Sequence, residues 1–72
     1  MKDRLDHNDI RIILAYADGN MNGTQAAKIA YYTRESIYEH LDKICALTGL
    51  NPRNFYDLIV LVKQAKEGKL LE

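Results

Sequence analysis

The feature that most constrains the fold is the segment NGTQAAKIAYYTRESIYEHLDKI, residues 22–44, in which a short polar break separates two amphipathic runs. The first run contains Ala26, Ala27 and Ala30, and small residues are needed where two helices cross closely. The break has the three- or four-residue length of the turn in a helix-turn-helix (HTH). The second run repeats apolar residues at the spacing of one helix face: Ile37, Leu41 and Ile44. The segment therefore predicts an HTH unit.

Helical periodicity elsewhere, together with the absence of any strand pattern, predicts an all-α fold of four helices with the HTH at its centre. The first helix is expected to take Asn8 or Asp9 as its cap and to stop at Gly19. Its buried stripe is predicted from helical spacing: Ile10, Ile13, Leu14 and Ala17. Ile12 and Tyr16 are expected to lie to the side of that stripe.

The caps of the other helices are predicted from the residues that favour helix ends. Asn22 is expected to cap the second helix, TQAAKIAYY, and Thr33 the third, which Gly49 ends. Asn51 as cap and Pro52 as first residue are expected to open the fourth helix, which continues to a glycine, Gly68. One wide face of that helix is predicted to be buried: Phe55, Leu58, Ile59, Leu61, Val62 and Ala65. Tyr56 and Val60 are expected on another face.

The length of 72 residues allows one small domain. We expect a frayed N-terminal segment at residues 1–7, the HTH domain at 8–68, and a disordered tail at 69–72 that could include a cloning scar. A chain this short buries a modest core and often needs a dimer partner.

Composition excludes several classes of function. The chain has no apolar run of membrane-spanning length and no secretory signal, so a cytoplasmic location is expected. Its single cysteine, Cys45, permits no internal disulfide and no zinc site. No catalytic arrangement of Ser, His and Asp and no phosphate-binding loop is present, so we expect a non-enzyme without cofactor or metal. Ten basic and ten acidic residues give zero net charge, whereas nucleic-acid modules are usually basic.

Most of the chain, from about Ile10 to Val62, resembles the C-terminal HTH of PucR-type bacterial transcriptional regulators. The resemblance lies in the GN turn, the alanine pair, TRESIYEHLDKI, and above all TGLNPRNFYDLIVL. The segment at 22–44 is also similar to the Fis-type HTH. These resemblances imply a domain that inserts its third helix in the major groove of double-stranded DNA, usually as a dimer.

The chain departs from the PucR-type pattern at the start of the third helix. The family commonly has His-Arg-Asn-Thr there, and this chain has Thr33-Arg34-Glu35-Ser36. Where the family has Tyr-Arg before a leucine, this chain has Glu39-His40. Replacing an arginine by histidine removes a permanent cation that would bind phosphate.

Two groups of residues are candidates for DNA contact. At the start of the second helix, backbone amides, polar side chains and a cation would meet phosphates: Thr24, Gln25 and Lys28. On the third helix the candidates for base or phosphate contact are Thr33, Arg34, Glu35, Ser36, Tyr38, Glu39 and Lys43. Each also has a structural interpretation, as a cap, a solvated face or a core-edge tyrosine. Glu39 and Lys43 could form a helix pair, and His40 could be half-buried rather than near phosphate.

The sequence thus supports two functions. In the first, the chain binds DNA in bacterial transcription control, weakly as a monomer because few cations are available. In the second, it is a protein-interaction or dimerisation module that keeps the HTH scaffold without binding DNA. Zero net charge and the acidic third helix favour the second function, and motif spacing favours the first. The apolar segment FYDLIVLV predicts a homodimer through the fourth helix.

Overall fold

The computed structural model describes residues 5–68, which form four α-helices and no β-strand. The helices are α1 (His7–Asp18), α2 (Gly23–Ala30), α3 (Arg34–Thr48) and α4 (Phe55–Lys66). The predicted all-α fold of four helices is therefore confirmed for these residues. The tail expected at 69–72 and residues 1–4 of the segment expected to fray lie outside the described residues.

The central helix is α1, whose backbone packs against those of the three other helices. α2 also packs against α3, whereas α4 approaches only α1 within the described chain. The innermost apolar side chains are less than 2% exposed: Ile12, Ile13, Ile37, Leu41, Ile44 and Leu61. The core therefore lies between α1 and the α2–α3 pair, with α4 closing it from one side.

The predicted ends of the HTH helices are largely confirmed. Asn22 and Thr33 are the N-caps of α2 and α3, and Gly49 ends α3 with a left-handed φ of 77°. α2 ends at Ala30, two residues before its predicted end, because Tyr31 has a φ of 61°. This left-handed conformation, which bulky residues rarely adopt, turns the chain out of the helix and toward α3.

The start of α1 differs from its prediction. Neither Asn8 nor Asp9 is the cap; the cap is Asp6, and the helix begins at His7. Asp6 Oδ1 accepts a hydrogen bond from the Asp9 amide, and Asp9 Oδ2 accepts one from the Asp6 amide, both at 3.0 Å. This reciprocal pair is a capping box, with an aspartate in place of the usual Glu or Gln. Leu5 is buried next to it, so the expected fraying does not include residues 5–7.

The buried stripe of α1 is also rotated from its predicted position. Ile13 is buried as expected, but the other three predicted members, Ile10, Leu14 and Ala17, are only half-buried. Ile12 and Tyr16, expected at the side, are instead at most 5% exposed. Asp9 lies on the same face, three residues before Ile12 and seven before Tyr16, and is also fully buried.

The cap predicted for α4 is wrong. The side chain of Asn51 accepts a hydrogen bond from the Arg53 amide and forms a turn, and Pro52 is buried within it. The helix begins three residues later than expected, at Phe55, with Asn54 as its cap. Asn51 and Asn54 can each accept a hydrogen bond from the amide two residues further along the chain. In the structure the second of them, Asn54, caps the helix.

The wide buried face predicted for α4 is narrower in the structure. Leu58 and Leu61 are buried, but Phe55 is 57% exposed and Ile59 is 49% exposed. Only α1 packs against this helix in the described chain, so one neighbour covers only part of its apolar surface.

Candidate nucleic-acid interface

The two HTH helices pack through small residues on α2 and a regular apolar stripe on α3. All three alanines of α2 are buried, as are the predicted stripe residues of α3. The ring of Tyr38 lies directly on Gly23, where an added Cβ would be only 2.4 Å from the tyrosine oxygen. The second turn of α3 therefore touches the first residue of α2, which brings the starts of the two helices together.

The candidates on α2 lie beside this contact. Thr24, Gln25 and Lys28 are all exposed. However, the amides of Thr24 and Gln25 donate to Oδ1 of Asn22 at 2.8 and 3.2 Å. Those two amides are therefore already satisfied by the cap, contrary to the expectation that helix-start amides meet the DNA backbone. The hydroxyl, amide and ammonium groups of the three side chains remain the phosphate-binding candidates.

The start of α3 offers one exposed cation and two hydroxyls. Arg34 is the first residue of the helix and is exposed. Thr33 Oγ1 accepts a hydrogen bond from the Ser36 amide at 3.1 Å, which leaves the threonine hydroxyl hydrogen to donate elsewhere. Arg34 lines a surface hollow of about 390 Å³ together with Glu35 and Tyr38.

The face of α3 opposite the core is acidic. Glu35, Glu39 and Asp42 are exposed and recur at spacings of four and three, which places them on one side of the helix. Arg34 and Tyr38, four residues apart, lie on the side of α3 next to this acidic face. A duplex placed against the outward face of α3 would therefore contact carboxylates directly. The Arg34 side chain would reach the duplex from the side of the helix.

Lys43 lies on the opposite flank and is held by acids of α1. Its Nζ is 2.8 Å from Oδ2 of Asp9 and 3.8 Å from Oδ2 of Asp6. Among the described residues it pairs with these two and not with Glu39, so the Glu39–Lys43 pair considered as a structural alternative does not form. The hydrogen bond to Asp9 outweighs desolvation and raises the pKa of Lys43. Because its charge is already matched by Asp9, Lys43 is less available to a phosphate than an unpaired lysine would be.

His40 joins the same group of side chains, which we call the Asp9 cluster (Asp6, Asp9, His40 and Lys43). Nδ1 of His40 donates to Oδ1 of Asp9 at 2.7 Å, and the imidazole is 25% exposed. Burial alone would raise the pKa of Asp9, but hydrogen bonds from Lys43, His40 and the Asp6 amide outweigh it and lower the pKa. His40 is thus half-buried, and the cluster joins α1 to the middle of α3.

Arg53 is a residue of this surface that the sequence pattern did not indicate. Its guanidinium lies 5.0 Å from the centre of the Tyr38 ring, and Nη2 is 3.3 Å from Oδ1 of Asp42. It neutralises one of the three outward acids and adds a cation beside Arg34. Arg53 comes from the turn before α4, and no local sequence signal connects that turn with α3.

The side chains of this surface offer polar and charged contacts. Within residues 5–68, no three His, Cys, Asp or Glu side chains are grouped so that they could hold a metal ion. No helix in that range has the length and apolar character needed to cross a membrane.

Comparisons of the chain with models of known protein families, with curated proteins and with solved structures gave no match. What this surface binds is therefore inferred from its own residues and their charges.

Proposed function

We propose that the chain binds double-stranded DNA through the starts of α2 and α3, with α3 directed into the major groove. The observation that carries the proposal is the Tyr38–Gly23 contact, which sets the exposed polar starts of the two helices side by side. Helix-turn-helix domains dock on a duplex with this pair of helices. The resemblance of residues 10–62 to PucR-type regulators supports a role in bacterial transcription control.

Each candidate side chain has a proposed role that fits its chemistry. Lys28, Thr24 and Gln25 bind phosphates from the α2 side, and Thr33 and Ser36 supply hydroxyls from the α3 side. Arg34 binds a phosphate or a guanine edge, and Tyr38 contacts the backbone or a thymine methyl group next to it.

The acids of α3 make this binding selective rather than strong. Glu35 and Glu39 can accept hydrogen bonds from cytosine amino groups, but near phosphates they repel. Asp42 is already paired with Arg53. We therefore expect weak binding to mixed sequence and a marked preference for sites that place a cytosine opposite a glutamate.

The salt dependence of this binding follows from the number of cations that are available to phosphates. With Lys43 held by Asp9, the exposed cations at the surface are Lys28, Arg34 and Arg53, of which Arg53 is shared with Asp42. Two to three phosphates per copy would be neutralised, so affinity would fall roughly ten- to fortyfold between about 50 and 200 mM salt.

The test is a fluorescence anisotropy titration against a mixed-sequence duplex across that salt range. We expect Arg34→Ala to weaken binding and to reduce the slope of log affinity against log salt by about 0.9, the contribution of one phosphate. Lys66→Ala removes an equal charge from the end of α4 and should leave the slope unchanged. Absence of binding at the lowest salt, or equal effects of both variants, would contradict the proposal.

A second function, protein interaction without DNA binding, is favoured by the acidic outward face of α3. Glu35 and Glu39 are exposed there without a paired cation among the described ion pairs. An acidic helix face of this kind suits a basic protein partner. Failure of the anisotropy titration at low salt would favour this second function.

A further inference from the structure

We propose that a second copy of this chain docks on α4, with the two α4 helices packed antiparallel about a two-fold axis. The contact is made by a stripe of four side chains, which we call the α4 stripe: Tyr56, Ile59, Val60 and Lys63. The proposal goes beyond DNA binding and requires no nucleic acid.

The α4 stripe lies on the side of the helix opposite the core. Leu58 and Leu61 face α1 and are buried, whereas the stripe is turned about half a revolution from them at 100° per residue. Tyr56 is 76% exposed and Val60 is 40% exposed. No other helix backbone in the described chain approaches α4 from this side.

The apolar surface continues on one flank of the stripe. Ile59 and Phe55 line a groove of about 400 Å³ against Ala17 and Met21. Exposed apolar patches rimmed by polar residues often mark interaction sites.

The pattern of the stripe specifies a second copy as the partner. Its two ends are an aromatic ring and a cation, Tyr56 and Lys63, and its middle is Ile59 and Val60. In an antiparallel pair, Ile59 and Val60 each meet their own counterpart, and Lys63 lies on the partner's Tyr56, which favours a cation–π contact. A parallel pair would instead set the two Lys63 ammonium groups side by side.

Net charge does not oppose this association, since each chain carries zero formal charge. A single pair of 12-residue helices belongs at the low end of specific interfaces, which bury less than about 1,200 Å² in total. We therefore expect a dimer that is half-formed at roughly tens to hundreds of micromolar chain.

The first test is sedimentation equilibrium without DNA over a concentration series reaching about 1 mM. Wild type should shift from monomer to dimer, and Val60→Glu, which places two carboxylates across the two-fold axis, should weaken the dimer at least roughly tenfold. Val60 is exposed, so the variant should keep its helical circular dichroism. A wild-type monomer at the highest concentration would overturn the proposal.

The second test fixes the orientation by disulfide formation in a Cys45→Ser background. With helices about 9 Å apart, the two Val60 Cα atoms of an antiparallel pair are about 6 Å apart, within reach of a disulfide. The two Lys63 Cα atoms are then about 10 Å apart along the axis and out of reach. Val60→Cys should cross-link and Lys63→Cys alone should not, whereas Lys63→Cys should cross-link when mixed with Tyr56→Cys. Equal cross-linking of Val60→Cys and Lys63→Cys homodimers would overturn the antiparallel arrangement.

These tests contain no DNA, so their failure would leave the proposed DNA-binding function intact. Conversely, a dimer that fails to bind DNA would contradict only that function.

Discussion

At the residue scale, Asp9 connects the most parts of the molecule. Its side chain is fully buried and accepts hydrogen bonds from the Asp6 amide, His40 and Lys43. A buried carboxylate is tolerated only when it is paired in this way. Because the last two donors are on α3, the carboxylate fixes the rotation of the candidate recognition helix relative to α1.

The first consequence concerns stability against pH. Because the pKa of Asp9 is lowered, its contribution to the free energy of unfolding is complete above the ordinary carboxyl pKa of about 3.9 and is lost as pH falls from there through the lower folded pKa. The raised pKa of Lys43 affects stability at high pH. Its contribution is complete below about 10.4 and is lost as pH rises through the higher folded pKa.

Asp9→Asn should therefore lower the free energy of unfolding by about 2 kcal/mol near neutral pH, since His40 and Lys43 are partly exposed and can be hydrated once unpaired. The free energy of unfolding of the variant should also depend less on pH in the acidic range. Urea unfolding at several pH values measures both effects. Asp18→Asn, an exposed aspartate on the same helix, should change stability by less than about 0.5 kcal/mol. Equal losses for the two variants would be incompatible with this role of Asp9.

At the element scale, the packing of α2 on α3 depends on the absence of a side chain at Gly23. An added Cβ would lie 2.4 to 2.9 Å from atoms of the Tyr38 ring, which is itself covered by Arg53. If that Cβ is present, either the Tyr38 ring must move away or the two helices must shift apart.

Gly23→Ala should destabilise the fold by about 1 kcal/mol through overpacking. In a Tyr38→Ala background the same change should be neutral or stabilising, because alanine favours the helix and no ring stands in its way. A double-mutant cycle by thermal unfolding measures the coupling. Additive effects of the two substitutions would mean that the ring does not define the crossing.

The HTH helices were the most predictable elements, because their determinants are local. The caps Asn22 and Thr33 and the stripe on α3 follow from residue type and spacing, and the structure confirms them. The predicted buried face of α1 differs from the observed one because aspartate is expected at the surface from sequence, whereas Asp9 is buried. Its partners, His40 and Lys43, are distant in sequence, so the burial of Asp9 depends on tertiary contacts. The α4 cap failed for a different reason, since Asn51 and Asn54 are both competent caps three positions apart.

At the scale of the whole molecule, charge and fold favour different partners. The proposed DNA-binding role rests on the placement of α2 and α3, yet the chain has zero net charge and an acidic outward face on α3. The part of the candidate site that sequence predicted is its list of exposed residues on α2 and at the start of α3. The pairing of Lys43 with Asp9 and the addition of Arg53 could not be predicted, because both arise between elements.

Dimerisation through α4 would strengthen DNA binding by a chain that has few available cations. Two copies would double the number of phosphates contacted, and the salt slope of binding would double with it. The α4 stripe lies on a helix whose backbone approaches neither α2 nor α3, so docking there leaves both helix starts accessible.

The most direct test of the central claim is a ¹H–¹⁵N correlation spectrum of the labelled chain, titrated with a short duplex at low salt. The largest amide shifts should fall at the starts of α2 and α3, at Thr24, Gln25, Arg34 and Ser36. With a duplex long enough for one copy only, amides of the α4 stripe should be unaffected by the DNA at a fixed protein concentration. Shifts confined to the α4 stripe, or a spectrum that does not respond to DNA, would contradict the claim that this HTH binds DNA.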